Sequence, residues 1–364
     1  MPDELPKRPR VRPGLQVLRR RPGEIQIGLD PRHAAVVSSL PDSVVHAIGR
    51  LTGHRTTADL LEALGPDPAD QDALCELLGA LAARDLVRDA TPSRPVPGRL
   101  AGEETAAAGR RDAHPAQRRE LAVAVHGQGR LAVALACLLA TAGVGWVHVA
   151  ATGTVHPEDV GTGYLGADVG RRRREAARDA VRRVDRTVRT GPFQDRNRPG
   201  LVLLTDAVVA DPEVVEQLVA NRVPHLSAHI RDGVGIVGPL VIPGLTSCLR
   251  CADLRRAQLD PCWPGIATQL AGRPQLADLA CTQATAGFAA AQALDALGWS
   301  PSAHARPATW NTSVEIDPFS ATTHHRCWQP HPACPCRAAR AEQVDRAGHP
   351  KLLRIRDDQE TIGW

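Results

Sequence analysis

Two pairs of cysteines stand in the C-terminal third of the chain, at Cys248-Leu-Arg-Cys251 and Cys334-Pro-Cys336. Zn²⁺ prefers four tetrahedral ligands, and a C-x₂-C knuckle supplies two thiolates at a suitable spacing. Because 82 residues separate the pairs, a shared ion would join two distant segments. The second pair is tighter than the usual C-x₂₋₄-C, so His325, Cys327 and His331 are alternative fourth ligands. We predict one structural zinc ion bound by the four cysteines, the alternative being reduced cysteines without metal.

A glycine-rich turn, Gly127-Gln-Gly129-Arg-Leu-Ala132, follows an apolar segment. At a strand-to-helix junction such a turn directs backbone N–H groups and a helix N-terminus at a phosphate, and a Cβ atom would block the close approach. A nicotinamide enzyme also carries Asp or Glu at the end of its second strand, where this chain has Ala150-Ala151-Thr152-Gly153. The turn therefore predicts a phosphate site that does not belong to an NAD enzyme.

Other reactive or charged residues give weaker signals. The arginine-rich segment from Arg171 to Arg189 has acidic residues interleaved, which is typical of a solvated helix face; contact with phosphate or an acidic peptide is the alternative. Cys262 is a candidate thioester or persulfide nucleophile, but no basic residue in its motif would lower the pKa of its thiol. We therefore expect an ordinary cysteine there. The remaining cysteines on apolar helix faces are expected in the core: Cys75, Cys137 and Cys281.

The elements that position these residues alternate between strand and helix. Apolar runs predict strands over 121–126, 145–150, 201–205 and 224–230, and apolar spacing predicts helices over 130–141, 170–189 and 212–220. Alternation of this kind predicts an α/β fold with a doubly wound, Rossmann-like sheet of parallel strands.

The N-terminal part reads as a separate small α+β domain. Residues 15–20 and 24–28 alternate around Arg21-Pro22-Gly23 and predict a hairpin. Helices are expected near 32–40, 42–51, 57–64 and 69–83, with a closing strand at Leu86-Val87. We interpret this as a winged helix. Because its best candidate recognition helix carries Asp70, Asp72 and Glu76, which a phosphate backbone would repel, peptide binding is favoured over DNA binding.

Domain boundaries follow from these patterns and from composition. We expect an N-terminal arm over 1–11, the winged-helix domain over 12–90, a linker rich in Pro, Ala, Gly and Arg over 91–118, the α/β domain with its zinc site over 119–336, and a disordered charged tail over 337–364.

Composition and charge limit the class of protein. With 364 residues the chain is long enough for two or three domains. Its 44 basic and 40 acidic residues leave a net charge of +4, too little to require nucleic acid. The start of the chain lacks a signal-peptide pattern, and the apolar stretch 131–151 is interrupted by Gly143-Val144-Gly145, so a helix, a turn and a strand explain it better than a membrane span. We expect a cytoplasmic protein with no nucleic-acid or membrane partner.

Residues 119–336 resemble the ThiF/MoeB/HesA family, relatives of the ubiquitin-activating enzymes. The resemblance is carried by the glycine turn, by Val169-Gly170 before a basic helix, by Asp206 after the third strand, and by Pro243-Gly244-x-Thr246-x-Cys248-x-x-Cys251. It implies ATP-dependent adenylation of the carboxylate of a peptide or ubiquitin-like partner, a structural zinc and a homodimer. Gly127 and Gly129 would cradle phosphate.

The same resemblance assigns charged roles. Asp206 would hold Mg²⁺, and Arg173 or Arg174 would neutralise the phosphates. The family usually has Asp-x-Asp at the end of the second strand, where Ala151 and Gly153 stand here, and its Asn-Leu-x-Arg-Gln segment is replaced by residues 159–163. These departures predict weak ATP binding and keep a second interpretation open: a non-catalytic ThiF-like protein that presents a precursor peptide to a partner enzyme. The N-terminal unit also resembles the leader-peptide recognition domains of ribosomal-peptide modification pathways.

Overall fold

The computed structural model of this chain describes residues 5–30, 34–90, 98–100, 102–103, 115–193, 197–301 and 306–336. They belong to two compact units, Met1–Arg110 and Arg111–Trp364. The expected tail over 337–364 and most of the expected linker over 91–118 lie outside the described residues.

The N-terminal unit combines two small antiparallel sheets with three helices. One sheet has the strand order β2-β3-β4 and the other pairs β1 with β5. The strands are β1 (Pro9–Val11), β2 (Val17–Arg21), β3 (Glu24–Ile27), β4 (Ala35–Val37) and β5 (Val87–Asp89), and the helices are α1 (Asp42–Ile48), α2 (Thr57–Leu64) and α3 (Pro68–Ala83). Their apolar faces form one core that includes Ile25, Ile27 and Leu78. The expected hairpin and three of the four expected helices are present.

The helix expected near 32–40 is wrong, because a strand lies there. Val37 of β4 pairs with Ile25, and Ala35 pairs with Ile27. Two adjacent valines, Val36 and Val37, favour a strand because their branched Cβ atoms lose rotamers in a helix. This third strand completes a sheet over the α1–α3 core. The winged-helix interpretation stays a prediction.

The C-terminal unit is built on a seven-stranded sheet with the order β12-β11-β10-β9-β8-β6-β7. The four strands β7, β6, β8 and β9 are parallel, and the remaining three join in antiparallel pairs. The strands are β6 (Ala122–His126), β7 (Trp146–Ala150), β8 (Leu201–Thr205), β9 (His225–Arg231), β10 (Val234–Val241), β11 (Thr312–Asp317) and β12 (Thr322–Cys327). The predicted doubly wound α/β fold is confirmed.

Seven helices of the described C-terminal residues accompany this sheet. They are α4 (Pro115–Arg118), α5 (Arg130–Thr141), α6 (Arg173–Val184), α7 (Pro212–Ala220), α8 (Leu249–Leu259), α9 (Trp263–Leu270) and α10 (Leu279–Gly298). Small side chains such as Ala132, Ala136 and Ala289 are fully buried in the main core, so α5 and α10 approach the sheet closely. The stretch 131–151 forms α5, a turn and β7, as expected. No helix among the described residues is both long and apolar enough to span a membrane.

Candidate functional site

The strand order reverses between β6 and β8, and two predicted site segments meet there. From β6 the chain crosses to β7 on one side, whereas β8 lies on the other side of β6. In open α/β sheets ligands bind at the carboxyl ends of strands at such a switch point. The turn Gly127–Gly129 follows β6, and Asp206 follows β8. The fold therefore brings the glycine turn and Asp206 together.

Asp206 is hydrogen-bonded to the glycine turn itself. Its Oδ2 accepts the backbone N–H groups of Gln128 at 2.6 Å and Gly129 at 2.9 Å. The residue is buried, and its φ of +71° lies in the left-handed region, which Asp tolerates better than most residues. Burial raises the pKa of Asp206, with a further contribution from the charge of Asp159, while the two N–H bonds oppose the shift. Two donors predicted for phosphate are thus already paired with a carboxylate.

The two glycines of the turn differ in the space that surrounds them. A Cβ atom at Gly127 would collide with Thr205 Oγ1 and would lie 2.5 Å from Asp206 Oδ2 and 3.0 Å from the Cβ of Ala132. A Cβ atom at Gly129 would find its nearest neighbour, Asp206 Oδ1, at 3.7 Å, which is ordinary contact. The packing of the protein itself therefore requires glycine at 127, and a small residue at 132 belongs to the same close contact. At 129 the space remains open to a ligand.

Arg173 lies in the site, and the adjacent Arg174 is exposed. Arg173 Nε and Nη2 donate to Asp159 Oδ2 at 3.0 and 2.8 Å, and its Nη1 donates to Gln128 Oε1 at 3.2 Å. The short 3₁₀ helix Pro157–Asp159 presents Asp159, whose Oδ2 also accepts the N–H of His156. Of the two predicted alternatives, the structure places Arg173 beside the turn.

A cavity of about 510 Å³, here named the switch-point cavity, opens beside these residues. Two of its charged lining residues are basic and four are acidic: Arg130, Arg173, Glu158, Asp159, Asp206 and Asp278. The guanidinium of Arg130 is partly occupied by hydrogen bonds within the protein, because it donates to the carbonyls of Val160 and Ala277. The segment Pro274–Ala277 completes the wall. The excess of carboxylates disfavours a bare polyphosphate but suits one that arrives with a divalent cation.

ATP fits one end of this region better than the other. Helix α5 begins beside the cavity, and no side chain caps its N-terminus, so its first N–H groups are available to a phosphate. Strand β7 ends at Ala150; Ala151, which follows it, is buried in the main core, and Gly153 has a φ of +71°. Neither supplies a carboxylate for ribose hydroxyls. The residues present suit the phosphates and leave the ribose without its usual partner.

The four predicted zinc ligands form one cluster. Cys248 Sγ lies 3.7 Å from Cys251 Sγ and 3.6 Å from Cys334 Sγ, and Cys251 Sγ lies 3.4 Å from Cys336 Sγ. All four sulfur atoms are within 4.8 Å of one another. Tetrahedral Zn–S bonds of about 2.3 Å place sulfur atoms about 3.8 Å apart. A disulfide would bring two of them to about 2 Å, so the cluster suits a metal.

None of the alternative ligands has its side chain in this cluster. His325 and Cys327 are on the exposed strand β12. His331 is buried, but its Nδ1 accepts the N–H of Ala333, and its Nε2 has no hydrogen-bond partner among the described residues. The cysteine cluster is the one group of three or more His, Cys, Asp or Glu side chains in the described part of the chain that is close enough to hold an ion. Zinc at this cluster stays a prediction.

The weaker sequence candidates differ in outcome, and the prediction of an ordinary cysteine at position 262 stays a prediction. Cys262 is exposed at the N-terminus of α9. In the basic segment, Arg171 pairs with Asp168 and Asp179, and Arg183 also pairs with Asp168. Of the three cysteines expected in the core, Cys281 is buried, whereas Cys75 and Cys137 are only partly buried.

Sequence reasoning missed three contributors to the switch-point cavity. Asp159 was noted only as part of a segment that departs from a family pattern, yet it holds Arg173. Asp278 caps α10 by accepting the N–H of Cys281 at 2.8 Å, and an Asp directly before an apolar helix could have signalled that cap. The segment Pro274–Ala277 reaches the cavity because the N–H of Gln275 donates to the carbonyl of Asp206. That contact follows from the tertiary fold and carries no local signal.

Comparisons with known proteins agree with this fold. Solved structures that share the fold include E. coli MccB with MccA-N7isoASN, at 14% identity and a TM-score of 0.67, covering 90% of this chain and 99% of that one. E. coli MccB with ATP matches at 15% identity and 0.66, covering 90% and 98%. PaaA matches at 15% identity and 0.62, covering 86% and 98%. The comparison with curated proteins returned no match. The model of the ThiF family matches residues 111–336, and the chain therefore belongs to the ThiF family.

Proposed function

We propose that this chain binds a peptide or small protein and activates a carboxylate of that partner by adenylation with Mg-ATP. The observation that carries the proposal is the meeting of the glycine turn, Asp206 and Arg173 at one cavity beside an uncapped helix N-terminus. Two structures of one similar protein support the substrate class, since MccB has been solved with MccA-N7isoASN and with ATP.

The charge of each residue would decide its role at the site. The N-terminus of α5 and the open space at Gly129 would receive phosphate oxygens, and Arg173 would face them after exchanging part of its contact with Asp159. Asp206 Oδ1 would help to hold Mg²⁺, since Oδ2 is engaged by the turn; the ion would supply neutralising charge. A carboxylate oxygen of the partner would attack the α-phosphorus of ATP, forming an acyl-adenylate as the bond to pyrophosphate breaks.

A second candidate function is presentation of a precursor peptide to a partner enzyme without catalysis. Two observations favour it: Ala151 and Gly153 replace the family's usual carboxylates at the ribose end, and Asp159 already neutralises Arg173. Loss of two charged hydrogen bonds costs roughly 3–6 kcal/mol of nucleotide binding. On either reading we expect a dissociation constant for Mg-ATP nearer millimolar than micromolar, a difference of about 4 kcal/mol.

Gly129 provides the test that separates the two functions. Gly129→Ala has room for its methyl group, so it should fold normally while obstructing a phosphate at the turn. Isothermal titration with Mg-ATP should show millimolar binding by the natural chain and at least tenfold weaker binding by this variant. Exchange of labelled pyrophosphate into ATP, with a short peptide encoded beside the gene as substrate, should be lost in Gly129→Ala and in Asp206→Ala.

Each outcome selects one function. Peptide-dependent exchange that Gly129→Ala abolishes, with circular dichroism unchanged, supports adenylation. Peptide binding without peptide-dependent exchange would leave presentation as the function. Exposed Arg174→Gln is the matched control for substitutions at Arg173, since it removes the same charge from the neighbouring position.

A further inference from the structure

A second cavity of about 250 Å³ lies on the other face of β9 and is here named the β9 cavity. Neighbouring strand residues point to opposite faces, and accordingly Ile230 lines the switch-point cavity while His229 lines the β9 cavity. The loop after β8 is divided in the same way, with Asp206 in the first cavity and Val208 in the second. The two cavities are therefore separate but share a strand and a loop.

Most residues that line the β9 cavity are apolar, and its charged lining residues are two acids, Glu216 and Asp253, and two bases, Arg250 and Arg256. Its walls come from the loop after β8, from α7, from β10, from the inward face of α8 and from the indole of Trp328. Val209, Val215 and Ile236 contribute branched aliphatic side chains. A space of this size and lining suits one medium-sized apolar group and excludes a nucleotide.

One end of the cavity is polar and deeply buried. His229 is 5% exposed, and its Nδ1 lies 3.3 Å from Ser227 Oγ. Ser227 is the one hydrogen-bond partner of the His229 ring among the described residues. Burial and the nearby charges of Arg256 and Arg231 lower the pKa of His229 to about 3, so the ring is neutral. When Ser227 donates to Nδ1, the proton stays on Nε2, which is then a donor in a positive field.

Arg256 places a cation in the lining of the same cavity. Its guanidinium lies over the rings of Trp328 and Trp263, at 4.8 and 5.0 Å from their centroids. Asp253 Oδ1 accepts from Arg256 Nη1 at 2.9 Å and also from the indole N–H of Trp263 at 3.2 Å. The one carboxylate paired with Arg256 is thus shared with a second donor, and the remaining guanidinium N–H groups have no recorded partner in the described part of the chain.

We propose that the β9 cavity is a binding site for an apolar carboxylate, with its aliphatic or aromatic body against Val209, Val215 and Ile236 and its carboxylate at His229 Nε2 and Arg256. The C-terminus of a peptide with an apolar last residue and a small free acid share this chemistry. Binding at this site does not depend on ATP, so the proposal can be tested separately from adenylation.

The test uses the full-length protein and two matched pairs of probes. N-acetyl-leucine is compared with N-acetyl-leucinamide, and a tetrapeptide ending in leucine is compared with the same peptide amidated at its C-terminus. Isothermal titration should show each free carboxylate binding at least tenfold more tightly than its amide. Tighter binding of the tetrapeptide than of N-acetyl-leucine would identify a peptide C-terminus as the ligand. Tighter binding of N-acetyl-leucine would identify a small free acid.

Four variants locate the site. Val215→Trp should fill the cavity and abolish binding, whereas Glu213→Trp, on the exposed side of the same helix, should not. Arg256→Gln should weaken binding of the free acid about tenfold and leave binding of the amide unchanged. Gly129→Ala should change the affinity for neither probe. Equal affinity for acid and amide in the natural protein, acid binding that survives Val215→Trp, or no binding at millimolar probe would overturn the proposal.

Discussion

Arg173 Nε and Nη2 both donate to the same oxygen of Asp159, at 3.0 and 2.8 Å, with the two side chains only 13% and 8% exposed. Breaking a buried pair by removing one partner leaves an uncompensated charge, at a cost of about 3–5 kcal/mol. The residue expected to face phosphate is therefore also a structural element of its own site.

The first prediction concerns this pair. Arg173→Gln should lower the free energy of unfolding by about 3 kcal/mol, because Asp159 then loses its cation. The double variant Arg173→Gln/Asp159→Asn should recover part of that loss, giving a coupling energy of about 1–3 kcal/mol in a double-mutant cycle measured by urea unfolding. Arg174→Gln, at the exposed neighbouring position, should change stability by less than about 0.5 kcal/mol. Strictly additive losses would show that the pair contributes no specific interaction.

A second prediction follows from the raised pKa of Asp206. Between the ordinary value of 3.8 and the raised value, the unfolded chain has released the proton while the folded chain keeps it. Stability should therefore fall as pH rises through this window, by up to about 1.4 kcal/mol per pH unit. Asp206→Asn keeps an acceptor for Gln128 and Gly129 but does not titrate, so its advantage over the natural chain should grow from about pH 4 upward and then level off. Urea unfolding at several pH values measures this difference.

Asp206→Ala is the companion variant. It removes the titrating group as well, but it leaves the N–H groups of Gln128 and Gly129 without their acceptor, at a cost of about 1–3 kcal/mol. The Asn and Ala variants should therefore share a pH dependence and differ by a constant amount. A constant difference between Asp206→Asn and the natural chain at every pH would contradict a raised pKa.

The third prediction is metal binding by the cysteine cluster. Purified protein should contain one zinc ion per chain by elemental analysis, and Cys336→Ser should contain much less. Removal of the metal should lower stability by about 4 kcal/mol, roughly 10 °C in Tm, because the ion cross-links two segments that are 82 residues apart. Cys327→Ser, which replaces an exposed cysteine nearby, is the control and should keep full metal. Full metal content in Cys336→Ser would reassign the fourth ligand.

The fourth prediction is acid sensitivity at His225. This side chain is fully buried, and burial lowers its pKa to about 4. As pH falls from about 6.5 to 4, the unfolded chain takes up a proton that the folded chain refuses, so stability falls by about 1.4 kcal/mol per unit. His225→Leu should flatten this slope by that amount while adding a constant loss, since the carbonyl of Val223 loses its donor. Parallel slopes for the two proteins would rule out a neutral buried His225.

Local patterns in the sequence predicted the elements that carry the site. Strand β8 and helix α7 begin and end where their apolar runs do, and the glycine turn lies at a strand-to-helix junction as its spacing predicts. The cysteine spacing also predicted a cluster that the fold assembles from α8 and the segment after β12. These features depend on short-range periodicity or on residue types with few alternative uses.

The remaining features depend on tertiary geometry that local patterns do not determine. One residue rotates a helix by about 100°, so the sequence could not decide whether Arg173 or Arg174 faces the strand ends. Isolated motifs assign Arg173 and the glycine turn to phosphate and Asp206 to Mg²⁺. In the fold, Arg173 is paired with Asp159 and the turn is paired with Asp206, because each charged group meets a partner from another segment. The β9 cavity has no motif at all.

The unequal roles of Gly127 and Gly129 make a prediction about descent. Glycine at 127 is imposed by Thr205 and Asp206, so any descendant that keeps this fold should retain it, whether or not it binds a nucleotide. Glycine at 129 is free of that constraint, and only a ligand would preserve it. Among orthologues, drift at 129 beside an unchanging 127 would mark lineages in which nucleotide chemistry has been lost, and invariance at both would mark those still under selection for it.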